Sequence, residues 1–205
     1  MAINRDFFFD HVRSTLFTGK MSKGQTGGLT FILDVWETAH AAKDDRWLAY
    51  AMATAYHETA FTMRPIVENG GKAYKIRMYS PNSSVPKRAA MAKKNGMRND
   101  ADALAYCGKG YVQLTWRNSY IAMETAVPVP GLGADPDMAL QPDNAARIMF
   151  YGMEHGSFTG KKFADYFQGP KQDWVNARQI INGTDCADKI AVYAKSFYAA
   201  LSHTV

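Results

Sequence analysis

Apolar side chains recur along this chain at helical intervals. Phe8, Val12 and Leu16 return every four residues near the start, which predicts an opening helix. Leu29, Ile32, Leu33 and Trp36 give the i, i+3, i+4, i+7 spacing of a second helix, which Gly27-Gly28 is expected to open. A third helix carries Trp47, Tyr50, Ala51, Thr54 and Glu58 along one stripe. Helices are expected again over 143–154, 161–167 and 173–181. The last element places Ile190, Tyr193, Ala194, Phe197 and Leu201 on one face and leaves Lys189 and Lys195 off it.

Two stretches break the pattern. Residues 69–99 contain Gly70-Gly71, Pro81, Pro86 and the basic residues Lys87, Arg88, Lys93, Lys94 and Arg98. They read as a long irregular excursion with one short helix over 87–95, and excursions of that length are usually functional or mobile. Residues 127–142, with Pro128, Pro130 and Pro136, read as a second one. Between them, 111–115 alternates with period two: Val112 and Leu114 face inward, and Tyr111, Gln113 and Thr115 face the other way. The expected architecture is all-α, with no internal repeat.

Length and composition narrow the class. At 205 residues, the chain is expected to form a single domain over 1–205, with no room for a separate binding module. Hydrophobic residues at 47% and charged residues at 21% exclude a disordered or fibrous chain. The balance of 24 basic and 19 acidic residues gives +5, which favours a polyanionic partner without choosing between nucleic acid, membrane and cell-wall polymer. The apolar run over 48–56 is far shorter than the roughly 20 residues of a spanning helix. Phe7-Phe8-Phe9 is interrupted too soon to form a signal-peptide core. Cys107 and Cys186 are too few for a disulfide framework and form no CxxC pair.

The chemistry gathers in three places. His57-Glu58-Thr59 ends the third helix, and a zinc-binding HExxH would need a histidine where Phe61 stands. His11, His40, His155 and His203 show no ligand spacing either, so no metal and no cofactor are expected. What remains is Glu58 on an aromatic and apolar stripe, where a carboxyl keeps its proton more readily than in water, as a general acid requires. Glu68, ten residues on, is a second carboxylate just before Asn69-Gly70-Gly71. Paired carboxylates, one protonated and one ionised, are the minimum for cleaving a glycosidic bond. The third place is Gly108-Lys109-Gly110, whose glycines allow close approach of backbone to a ligand, followed by the amide of Gln113 and the hydroxyl of Thr115.

His57-Glu58-Thr59, Ile66-Val67-Glu68-Asn69, GKGYVQLT at 108–115 and Ile181-Asn182-Gly183 follow the order and rough spacing of family 19 glycoside hydrolases. The chain resembles that family, the chitinases and the related phage endolysins that cut peptidoglycan. Its opening segment and the stripe over 29–36 are similar to the leader helices of the phage-type members. The resemblance implies a lysozyme-like fold with two helical lobes flanking a substrate cleft. It implies Glu58 as general acid, Glu68 as the base that activates water in an inverting displacement, and Thr115 as a residue holding that water. It also implies substrate contacts from Gln113, Tyr111, Asn118 and Asn182. Inversion requires the carboxylates to stand roughly 6.5–9.5 Å apart. The sequence departs from the family at Ala60-Phe61, where glycines are usual, at Ser119, where the asparagine has moved to Asn118, and at Thr184.

The expected function is therefore that of a muramidase-type endolysin, cleaving β-1,4 bonds of the bacterial wall in host lysis, with antimicrobial consequence. Its partners would be peptidoglycan glycan strands, not nucleic acid, and it would act as a monomer. It would be made in the cytoplasm and reach the periplasmic wall by holin-type release or dedicated secretion. A chitinase acting on poly-N-acetylglucosamine is the alternative enzyme. A basic wall-, membrane- or nucleic-acid-binding protein without catalysis is the alternative of another class.

Overall fold

The computed structural model describes residues 2–202 and is mostly helical, an all-α, lysozyme-like fold. His203 lies outside the described residues. The chain divides into two compact units. One comprises the chain up to Arg64 and from Met149 onward, and the other comprises Pro65–Ile148.

The first unit is built around a central helix. α1 (Arg5–Thr15) buries Phe8 and Val12 as the four-residue spacing predicts, and Asn4 caps it by accepting from the Phe7 amide. α2 (Lys23–Ala39) buries Leu29, Ile32, Leu33 and Trp36. It starts earlier than expected, because Ser22 and Gln25 form a reciprocal capping box that satisfies two orphan amides. Gly27 and Gly28 consequently lie inside the helix. A Cβ on Gly28 would stand 1.7 Å from the Met63 carbonyl oxygen, so the absent side chain lets the turn after α3 seat against α2.

α3 (Asp45–Glu58) is buried from Leu48 to Tyr56 on all sides, which makes it the unit's core. Its most extensive partner is the closing helix of the chain, Ala187–Ala199, which buries Ile190, Ala194 and Phe197. Truncating a fully buried aromatic such as Phe197 to alanine would cost about 3–5 kcal/mol. The helices expected over 161–167 and 173–181 are instead 3-10 turns at Phe163–Asp165 and Asn176–Ile180. A small antiparallel pair, Phe167–Gln168 with Lys171–Gln172, separates them. Gly169, with φ +55, and Pro170 break the helical path there. Trp47 holds this segment, stacking on Phe163 and donating its indole N–H to the Phe167 carbonyl.

The second unit is more helical than its sequence suggests. Residues 69–99 contain α4 (Lys72–Tyr79) and α5 (Pro86–Lys94), and α6 (Asp100–Ala105) follows. Pro86 occupies the first turn of α5, where its missing N–H is no loss, and Asn99 caps α6 by accepting from the Asp102 amide at 3.0 Å. α7 (Arg117–Ala126) and a 3-10 turn (Pro136–Leu140) follow, and the boundary between the units falls within α8 (Pro142–His155). Strand β1 (Ile66–Val67) pairs antiparallel with β2 (Lys109–Gly110), Ile66 opposite Gly110 and Val67 opposite Lys109.

The expected strand over 111–115 is absent. Gln113 takes φ +54, the chain turns, and Leu114 returns to bridge Lys109. Tyr111, Val112 and Leu114 are all buried, which no alternating strand would give. Among the described residues no helix is long and apolar enough to cross a membrane.

Candidate active site

In the first unit, Glu58 is the last residue of α3. The sequence leads one to expect an apolar surround for its carboxyl, but its Oε1 accepts from the Arg178 guanidinium at 2.6 Å. Arg178 is 3% exposed at its side chain and Glu58 18%. The guanidinium is held in turn by the Asp185 carbonyl, which accepts from Nε at 3.0 Å. The Oε2 of Glu58 has no hydrogen-bond partner among the described residues, so one oxygen is fixed and the other is free. Burial holds the His57 imidazole below its ordinary 6.5, against the opposing pull of Glu58, and Arg178 and Lys189 push the same way as burial. Its Nδ1 is buried without a hydrogen-bond partner among the described residues.

The backbone after Glu58 is strained. Thr59 caps α3, donating to the Ala55 carbonyl at 2.7 Å and accepting from the Met63 amide at 3.1 Å. Between these anchors Ala60, Phe61 and Met63 adopt φ of +49, +67 and +53. A left-handed conformation costs an ordinary L-residue about 1–2 kcal/mol. Ala60-Phe61 therefore occupy a turn whose conformation calls for glycine. Phe61 offsets part of this by packing on Tyr56 with ring centroids 4.7 Å apart and receiving Lys189 over its face.

In the second unit, Glu68 follows β1. Its Oε1 accepts from the Tyr79 hydroxyl at 2.7 Å and the Tyr74 hydroxyl at 3.3 Å, and its Oε2 from the Gly108 amide at 3.4 Å. Burial, with the hydrogen bond and charge of Glu68 behind it, raises Tyr79 far above the usual phenol, so it stays a donor. A Cβ on Gly108 would meet Gln113 Oε1 at 2.9 Å and Glu68 Cβ at 3.3 Å. A side chain there would crowd Gln113 and Glu68 where they close on the β1–β2 pair.

The remaining expected residues take distinct places. Gln113 lies beside Glu68, with its amide nitrogen donating to the carbonyls of Ile66 and Gly110. Thr115 donates its hydroxyl to the Gln113 carbonyl at 2.8 Å, which leaves its lone pairs free to accept. Tyr111 is fully buried and packs in the core, so it is not a substrate contact. Asn118 is exposed near the start of α7, with its side chain lying over Gly96. Asn182 is exposed in the first unit, its amide bonded to the Arg178 carbonyl at 3.1 Å and its Oδ1 accepting from the Gly183 amide. Gly183 has no positive φ among the described glycines and does not close an α-helix. Asn182 and Gly183 instead line a shallow surface hollow of about 500 Å³ with Thr159, Lys161 and Gln179. Sequence reasoning missed Arg178, Tyr74 and Tyr79; the one available signal was a basic residue between Ala177 and the apolar pair Ile180-Ile181.

The sequence matches no family model and no curated protein. The fold does find relatives. It superposes on the crystal structure of chitinase C from Streptomyces griseus HUT6037 with a TM-score of 0.58, covering 96% of this chain and 75% of that one. The fold is chitinase-like. At 17% identity the likeness concerns the fold, and the chemistry of the site has to be argued from the residues just described.

Proposed function

We propose that the protein is a glycoside hydrolase that cuts β-1,4 bonds of peptidoglycan by acid–base catalysis with inversion. The observation that carries this reading is the contrast between two carboxylates on a chitinase-like fold. Glu58 is held through one oxygen by a buried guanidinium, and Glu68 by two phenols and a backbone amide. In this scheme protonated Glu58 gives its proton from Oε2 to the glycosidic oxygen as the bond from C1 breaks. Arg178 stabilises the carboxylate that remains. By the resemblance Glu68 is the base: it takes one proton from water as that water's oxygen bonds to C1 on the face opposite the leaving group, and the free lone pairs of Thr115 accept a hydrogen bond from the O–H that stays on the sugar. Proton exchange with solvent then restores both carboxyl groups.

A wall-degrading enzyme of this kind would serve host lysis, as the phage-type resemblance implies. The second reading is a chitinase, favoured by the activity for which the structural relative is named. Digestion of purified peptidoglycan and of chitooligosaccharides by wild type and Glu58→Gln, with mass analysis of reducing ends, decides. Muramic acid ends, absent with Glu58→Gln, are the expected result. Release of chitooligosaccharide products alone would establish the chitinase, and undiminished cleavage by Glu58→Gln would remove the assigned acid.

A further inference from the structure

The chain's positive charge is not spread over it. Residues 69–99 hold eight basic residues (Lys72, Lys75, Arg77, Lys87, Arg88, Lys93, Lys94 and Arg98) and no acidic one. The remaining residues hold 24 − 8 = 16 basic against 19 acidic, a net −3. The +5 of the whole is therefore the sum of a +8 segment and a mildly acidic body. In the second unit this segment folds as α4 and α5, which pack on each other and leave most of these charges exposed. Arg98 pairs with Asp102. The other seven form no ion pair among the described residues. On α5 the side facing its own unit is Ala92, and the outward side presents Lys87, Ala90, Met91 and Lys94, with Lys93 beside them.

Uncompensated like charges on adjacent helices repel, and they are tolerated where a counter-charge is to be met. A membrane-surface helix would need a broad apolar face with large side chains, and α5 has only Ala90 and Met91 outward. The position of the segment is the second observation. Tyr74 and Tyr79, which hold Glu68, are both on α4, so one helix carries part of the basic surface and also positions the candidate base.

We infer that α4 and α5 form a docking surface for an anionic glycan, and that Lys87, Lys93 and Lys94 bind the carboxylates of peptidoglycan stems. This rests on the hydrolase reading above and deepens it, because chitin carries no such charge. The surface would favour the peptidoglycan strand over its neutral analogue before any bond is cut.

The test is cosedimentation with purified insoluble peptidoglycan, in a Glu58→Gln background so that nothing is degraded. Lys87→Gln/Lys93→Gln/Lys94→Gln is expected to bind about tenfold more weakly, since each exposed ionic contact is worth roughly two- to fivefold. The corresponding three Lys→Arg changes should bind as the parent does, and the parent should weaken steeply with salt. Peptidoglycan whose carboxylates have been amidated should lose the parent's advantage over the glutamine variant. Equal binding by parent and glutamine variant, indifference to amidation, or tighter binding to duplex DNA than to peptidoglycan at one salt concentration would each overturn the proposal. Carboxylate-dependent binding by a wild type that cuts no glycan would refute the hydrolase reading and leave the surface standing. Cleavage with amidation-independent binding would do the reverse.

Discussion

Replacing Arg178 with alanine tests the ion pair on which the position of Glu58, the proposed acid, depends. The change removes a guanidinium that is 3% exposed and two charge-assisted hydrogen bonds, to Glu58 at 2.6 Å and to the Asp185 carbonyl at 3.0 Å. Breaking a buried ion pair costs about 3–5 kcal/mol because the surviving charge is left unpaired. Glu58 is 18% exposed, so water reaches part of its carboxylate and the lower end, about 3 kcal/mol, applies. For a chain of this size that corresponds to a fall in Tm of roughly 6–12 °C. Glu58→Gln alone should cost less, about 1–2 kcal/mol, because a neutral amide oxygen still accepts from the guanidinium. Urea unfolding of wild type, both single variants and the double variant closes the cycle. The double variant should be more stable than the sum of the single losses predicts, by about 1–2 kcal/mol, since the second change removes a charge the first has orphaned. Glycan cleavage by Arg178→Ala should fall roughly a hundredfold, the scale expected when a reacting group is displaced by about an ångström. Additivity within about 0.5 kcal/mol would refute the pairing as an energetic unit.

Other expectations follow from single sites. Ala60→Gly should raise Tm by about 2–4 °C in a thermal melt, because φ +49 costs alanine about 1–2 kcal/mol and glycine's greater loss of backbone freedom offsets only part of that. His57 titrates lower in the folded chain than its ordinary 6.5, so the unfolded chain takes up the proton first. Its contribution to stability should therefore be full above pH 6.5 and decline as pH falls below it, a slope that His57→Gln removes from melts run between pH 7.5 and 5. Gly108→Ala should lower cleavage at least tenfold, since its Cβ forces Gln113 and Glu68 apart, while far-UV circular dichroism stays unchanged.

Much of the helical scaffold is written in apolar spacing. α1, α2, α3 and the final helix bury most of the residues that their periodicity marks, while Leu16, Trp47, Tyr193 and Leu201 are half-buried. The opening of α2 was misjudged from Gly27-Gly28 because the capping pair Ser22 and Gln25 sits outside the apolar pattern that defines the stripe. α4 escaped notice because KAYKIRMY has no apolar side; only Tyr79 is buried, and contact with α5 and α6 overrides a weak local preference. At 111–115 alternation was present, but the left-handed backbone of Gln113 turned it into a loop, a choice no side-chain pattern encodes.

Short motifs point to Glu58, Glu68, Gln113 and Asn182 as candidates, but not to the side chains that hold them. Arg178 reaches Glu58 across 120 positions, and Tyr79 reaches Glu68 from the end of a helix that the pattern did not reveal. Such partners are chosen by tertiary folding and leave no spacing to read. The departure at Ala60-Phe61, by contrast, becomes interpretable only with the backbone in view, as a turn that retains its glycine-like shape after losing its glycines.

Gly27 and Gly28 are neighbours on one helix with opposite tolerance to change. At Gly27 no described residue lies within 4 Å of an added Cβ, so alanine there would strengthen α2 by about 1 kcal/mol. At Gly28 the smallest side chain collides with the Met63 carbonyl, and the displaced segment is the turn that begins at Glu58. Thirty residues before Glu58, a single hydrogen atom thus sets how closely that turn can be seated. A library randomised at these two codons would return a range of helix-forming residues at one and glycine alone at the other.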